Sequence, residues 1–204
     1  MKNFLRLSGG LDVTRLLLAI QRRPELWRED TYLRDYPQGP FAAIESIMLR
    51  FPVKTVHETE EALQQHLATY DQHENVDYPA YKLLPEARPL VMDLMTYVGG
   101  ERLGRVMINK IAPGGVIYPH RDTAAHAEYY DRFHIVLQSK PGVVFRAGDE
   151  QVYMAPGEVW WFDNSEEHEG INNSAEDRIH MIVDIRTSKL SPVTSNRSKS
   201  AWTN

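Results

Sequence analysis

The chain has 204 residues, a formal net charge of −5 and no cysteine. That length suits one domain with a sizeable core. Disulfides and thiolate metal sites are excluded, so any metal site must be built from nitrogen and oxygen ligands. The mild acidity gives no support to nucleic-acid binding, which needs a basic surface, and no such partner is expected.

Taken in chain order, Asp12-Val13-Thr14 can start a helix, with Leu16, Leu17 and Ile20 on one side and Pro24 stopping it. Its apolar run is too short to span a bilayer and is bracketed by Arg15, Arg22 and Arg23. With no small-residue cleavage site after it, neither a signal peptide nor a membrane span is expected, and the expected location is cytoplasmic. Pro37, Pro40 and Pro52 break the next stretch, within which Ile44 to Phe51 can form a short strand. His57 to Tyr70 reads as a second helix, with Thr59 as cap and Glu60 and Glu61 in its first turn. A third helix is predicted from Pro85 to Val98, with Leu90, Val91, Leu94 and Met95 as its apolar face and Gly99-Gly100 ending it.

From Arg102 onward, short β-rich runs alternate with turn signals. Strands are predicted at 104–112, 116–122, 132–139, 142–147, 150–154, 158–163, 167–172 and 178–186. Eight short strands suit a jelly roll, in which two facing sheets leave one mouth open. The expected architecture is therefore mainly β with an N-terminal helical part. Helices in 1–101 pack on a cupin-like jelly-roll core at 102–186, and 187–204, rich in Ser, Thr and Asn, forms a flexible tail.

His120-Arg121-Asp122 places a histidine and a carboxylate on one face of an extended strand. His168, at the start of the penultimate predicted strand, can return to the same mouth. Two histidines and one carboxylate leave positions open on a metal, as a non-haem Fe(II) oxygenase requires. His134 and His180 compete for the third-ligand role, although a lone histidine on such a strand is usually a hydrogen-bonded core residue. Arg178 opens a buried-type strand, where an arginine is costly unless paired. Its partner is either Asp177, Glu176 or Asp184, or the far carboxylate of a bound dicarboxylic cosubstrate. Trp160 and Trp161 read as core, and the polar, aromatic segment Thr123 to Asp131 reads as an ordinary connection or a lid over the mouth. Arg132, Arg146 and Lys110 are cations that either meet an anionic substrate or lie on the surface.

An ordered set of motifs carries a resemblance. It comprises Ala112-Pro113-Gly114-Gly115 leading to Pro119-His120-Arg121-Asp122, then Arg132-Phe133-His134, Pro156-Gly157-Glu158 through Phe162-Asp163-Asn164, His168-Glu169, and Arg178 through Asp184. From about Gly104 to Asp184, and more weakly over Leu84 to Gly100, the chain resembles the aspartyl/asparaginyl β-hydroxylase family of 2-oxoglutarate-dependent Fe(II) oxygenases. The resemblance implies a double-stranded β-helix, iron held by His120, Asp122 and His168, and 2-oxoglutarate bound through Arg178. It also implies that His134 assists at the metal-proximal carboxylate, that Asn109 lies near the cosubstrate, and that Arg132 contacts substrate. Some members lack the acidic ligand that Asp122 provides here. The long N-terminal repeat and membrane region of the animal enzymes are not in this sequence, so hydroxylation of a protein residue is not assumed. The expected activity is hydroxylation of an unactivated C–H bond in a small-molecule or peptide substrate, with dioxygen as co-reactant. The alternatives are a metal-dependent cupin enzyme that uses no 2-oxoglutarate, and a non-catalytic jelly-roll binding module.

Overall fold

The computed structural model describes residues 1–35, 39–54, 59–69, 71 and 73–188. In chain order the elements begin with β1 (Phe4–Ser8), α1 (Thr14–Gln21), α2 (Leu26–Glu29), α3 (Tyr32–Asp35), β2 (Ile44–Phe51) and α4 (Glu60–Thr69). Next come β3 (Val76–Asp77), α5 (Pro79–Leu83), α6 (Ala87–Val98), β4 (Arg102–Ile111), β5 (Val116–His120) and α7 (Ala124–Tyr129). The last strands are β6 (Asp131–Gln138), β7 (Val143–Ala147), β8 (Glu150–Val152), β9 (Val159–Phe162), β10 (His168–Asn172) and β11 (Arg178–Arg186).

The strands form two antiparallel sheets. The larger runs β1-β9-β6-β11-β4-β2-β3 and the smaller β5-β10-β7-β8. All eight strands predicted beyond Arg102 are present, giving the jelly roll. Residue parity decides what each face does. One face of the larger sheet carries Ile47, Leu49, Val106, Ile108, Phe133, Ile135, Met181 and Val183, and packs against Leu16 and Ile20 of α1 and Leu90, Val91 and Leu94 of α6. The alternate residues of the same strands face the smaller sheet, and there the chemistry collects. They include Asn109 on β4, Arg132 and His134 on β6, and Arg178, His180 and Asp184 on β11.

Three N-terminal findings refine the sequence reading. Asp12 Oδ1 accepts the Thr14 N–H at 2.9 Å at the start of α1. Thr59 Oγ1 accepts the Ala62 N–H at 3.2 Å and so caps α4, as predicted; His57 and Tyr70 lie outside the described residues. Gly99 takes φ 64°, a left-handed conformation open to glycine, and ends α6 with the Gly100 N–H on the Met95 carbonyl at 2.8 Å.

Residues 1–101, expected to form a helical part packing on the core within a single domain, are not wholly helical. That segment supplies β1, β2 and β3 to the larger sheet. β1 was hidden because a five-residue edge strand carries little periodicity. β2 is buried or half-buried along its whole length because both its faces are covered. Residues 189–204 of the expected tail lie outside the described residues. Among the described residues, no helix is long and apolar enough to cross a membrane.

Candidate metal centre

The smaller sheet brings the two predicted histidine ligands together directly. His168 on β10 and His120 on β5 are cross-strand partners, with ring centroids 4.2 Å apart. Asp122 follows β5 by two residues. The ligand atoms of His120, Asp122 and His168 all lie within 4.8 Å of one another, close enough to share one metal ion. They form the one such cluster of three or more found among the described residues.

The histidine tautomers are set by the backbone. His120 Nδ1 lies 2.8 Å from the Tyr118 carbonyl and His168 Nδ1 lies 2.9 Å from the Glu166 carbonyl. Each Nδ1–H therefore donates, and each Nε2 lone pair is left for a metal. His120 Nε2 is buried with no hydrogen-bond partner, as expected of an atom shaped for coordination. Burial pushes the His168 imidazole down to about 4, helped by neighbouring His120. Burial also lowers His120. Both rings are thus neutral, the form that binds metal. Burial alone would raise the Asp122 carboxyl, but Arg132 and His168 outweigh it and hold it below the ordinary range. This nitrogen and oxygen donor set fits a divalent transition metal of the Fe(II) or Mn(II) kind.

The three ligands line a cleft between the sheets of about 630 Å³, counting the part open to solvent. Arg178, at one end, has 2 % of its surface exposed. None of the acids weighed as its partner reaches it. Asp184 bonds to Arg132, Glu176 pairs with Lys140, and Asp177 is seen only through its carbonyl, which accepts from Gln138. Arg178 Nη2 is buried without a hydrogen-bond partner, and burial drives the guanidinium down to about 9. Its one neighbour of note is the Phe145 ring, with Cζ 5.8 Å from the centroid.

His134 also lines the cleft, between the rings of Phe145 and Phe162 at 5.0 and 5.2 Å. Its Nδ1 lies 3.3 Å from His180 Nδ1, and His180 is a buried residue outside the three-residue cluster. Asn109 borders the same space and accepts a 2.9 Å hydrogen bond from the Ser46 hydroxyl. Trp160 and Trp161 are core, with their indole N–H groups donating to Glu158 and Asp131.

Arg132 borders the cleft, yet each of its nitrogens already serves a carboxylate. Nε and Nη2 donate to Asp184 at 2.7 and 3.0 Å, and Nη1 reaches Asp122 Oδ2 at 2.7 Å. His126, on α7 in the segment read as a connection or lid, bonds the same Asp184 at 2.8 Å. His126 and Asp184 were missed as site residues. The available signal was an aspartate within the apolar run of β11, which burial makes costly without a cation. Lys110 and Arg146 are tied in ion pairs with Glu45 and with Glu169 and Glu167.

An antiparallel jelly roll whose mouth gathers two histidines and an aspartate defines a cupin-like metal-site protein. Residues 54–188 match the family model of the aspartyl/asparaginyl beta-hydroxylases, and the chain belongs to that family. It is 27 % identical over 107 residues to an L-proline cis-4-hydroxylase of Rhizobium meliloti (strain 1021), covering 52 % of this chain and 37 % of that one. It is 31 % identical over 73 residues to L-proline cis-3-hydroxylase 2 of a Streptomyces species, covering 34 % and 25 %. The matches thus span well under half the length of these curated relatives. The solved structure of AviO1 from Streptomyces viridochromogenes Tue57 shares the fold, with a TM-score of 0.53 at 14 % identity over 94 % of this chain and 93 % of that one.

Proposed function

We propose that the protein is a 2-oxoglutarate- and Fe(II)-dependent dioxygenase hydroxylating an unactivated C–H bond of an amino acid, a peptide residue or another small polar substrate. The observation that carries this reading is Arg178, a buried guanidinium that has no acidic partner among the described residues and lines the cleft that holds the triad. A dicarboxylate with one end at the triad supplies the missing anion at the other, and the planar fork suits bidentate contact. His120, Asp122 and His168 hold the metal. Bound iron, with 2-oxoglutarate, supplies dioxygen activation and oxidative decarboxylation to succinate and carbon dioxide. The protein's own residues position and exclude. Neutral His134 offers a polar contact next to the metal site, Asn109 lies on the cosubstrate side, and Phe145 and Phe162 keep that side dry.

The remaining lining defines the substrate end. Arg178 pairs with Ile111 at one end of β4. Arg105, six residues back on the same face of β4, lies about 20 Å along the strand. Around it stand Leu33, Phe51, Met107 and Ile182. An apolar wall with a guanidinium suits a small amphipathic carboxylate, so free L-proline, on which the named relatives act, is the first substrate to test.

The test is oxygen uptake and succinate formation with Fe(II) and 2-oxoglutarate across free amino acids and short peptides. Substrate-dependent succinate in step with oxygen supports the reading. Metal binding with no succinate across the panel overturns it in favour of a cupin enzyme that uses no 2-oxoglutarate. Absence of Fe(II) and Mn(II) binding leaves only a binding module.

A further inference from the structure

Within the triad, one oxygen of Asp122 is held by two partners. Oδ2 receives Arg132 Nη1 at 2.7 Å and Asn164 Nδ2 at 3.1 Å. Among the described residues, Oδ1 has no protein hydrogen bond. Arg132 cannot drift from this position, because Asp184 grips its other edge in two parallel hydrogen bonds and His126 in turn bonds Asp184. Arg132, Asn164, His126 and Asp184 are all buried, Asp184 completely. The segment from Asp122 to Arg132 is therefore fastened to the larger sheet at Asp122, at His126 and at Arg132 itself.

From this geometry we infer that Arg132 and Asn164 are positioning residues that set how Asp122 meets the metal. By occupying Oδ2 they leave Oδ1 as the coordinating atom and prevent the carboxylate from swinging round to bind through both oxygens. This rests on the metal site proposed above, but it concerns a separate property. A carboxylate binding through one oxygen leaves three of six positions open beside the two histidines, enough for a chelating cosubstrate and dioxygen together. A carboxylate binding through both leaves two. The arginine expected to touch substrate is thus reassigned to the metal's support, through which outer partners tune affinity and geometry.

The experiment uses Mn(II) as the probe on the full chain without cosubstrate. Mn(II) affinity is measured by titration, and bound water is counted by electron–nuclear resonance in isotopically labelled water. The wild-type protein is expected to hold Mn(II) with three exchangeable waters. Asn164→Ala and Arg132→Lys should each loosen the hold on Oδ2, so that the mean water count falls below three and metal affinity changes by about 10- to 100-fold. Asn164→Gln, which retains the amide, should recover part of the effect. A merely structural role would lower thermal stability while leaving the water count of the folded, loaded protein at three, and that result would overturn the inference. Asn164→Ala, which leaves the ion network intact, decides the matter if Arg132→Lys does not fold. Wild-type protein that takes up no Mn(II) would overturn both this inference and the metal site itself.

Discussion

Two buried arginines border the cleft, and their surroundings are opposite. Arg132 lies between two carboxylates that hold its charge firmly, the attraction of Asp122 and Asp184 outweighing its burial. Arg178, on the same sheet, has no counter-charge among the described residues and is driven down by burial. Strand β11 connects them. Arg178 begins it, and Asp184, the partner of Arg132, stands six residues later, about 20 Å along the strand. A guanidinium enclosed with its anions belongs to the scaffold. One enclosed without them fits the proposed role of receiving a ligand's anion.

The largest effect is expected where neither arginine compensates. His168→Ala or His120→Ala should abolish turnover and Mn(II) binding while circular dichroism stays that of the wild type. Retained metal binding would remove that residue from the triad. Next comes the comparison itself. Arg132→Met leaves two buried carboxylates without their cation and should cost about 3–5 kcal/mol, read as a lower urea midpoint. Arg178→Met removes a charge that has no partner and should leave the midpoint of the ligand-free protein unchanged or higher. A midpoint that falls equally in both would erase the distinction. With cosubstrate present, Arg178→Met should weaken 2-oxoglutarate binding by roughly 10- to 100-fold, because charged hydrogen bonds are lost, with Arg178→Lys intermediate. Calorimetric titration checks this, and an unchanged affinity would sink the assignment.

The smallest effect is a pH dependence. Burial, with nearby Arg178, holds His134 and His180 well below their ordinary value, so both are neutral in the folded chain. The unfolded chain takes up those protons near pH 6.5 and the folded chain does not. Their contribution to stability is therefore complete above about pH 6.5 and falls as the pH drops below it, by up to roughly 1.4 kcal/mol per pH unit for each histidine. His180→Gln should make the decline between pH 6.5 and 5 shallower by about one histidine's share. Urea midpoints across that range measure it, and an unaltered slope would mean that His180 is not held neutral.

These contrasts also explain what the sequence could reveal. The strands of the jelly roll were legible because each is bounded by a turn signal such as Pro113-Gly114-Gly115 or Pro156-Gly157. The triad was legible because few arrangements other than metal binding gather two histidines and an aspartate at a jelly-roll mouth. Ion-pair partners were not legible. Asp184 was weighed as a partner for Arg178, but strand geometry separates them and pairs Asp184 with Arg132 across β6 and β11. His126 reaches Asp184 from a short helix, and no local pattern announces a contact across so many residues. Composition also left β1 hidden, because its partner strand is distant in the chain.

That partnership has a consequence for synthesis. Phe4 on β1 lies opposite Phe162 on β9, and its ring packs against Phe145, Trp160 and Phe162. Phe145 and Phe162 also flank His134 and His168. During synthesis β1 must therefore wait for β9 before the two can pair, and closing so long a loop is entropically slow. The floor beneath the metal ligands is completed only when the two extremities of the fold meet. The centre consequently matures only after β9 has been made and has met β1.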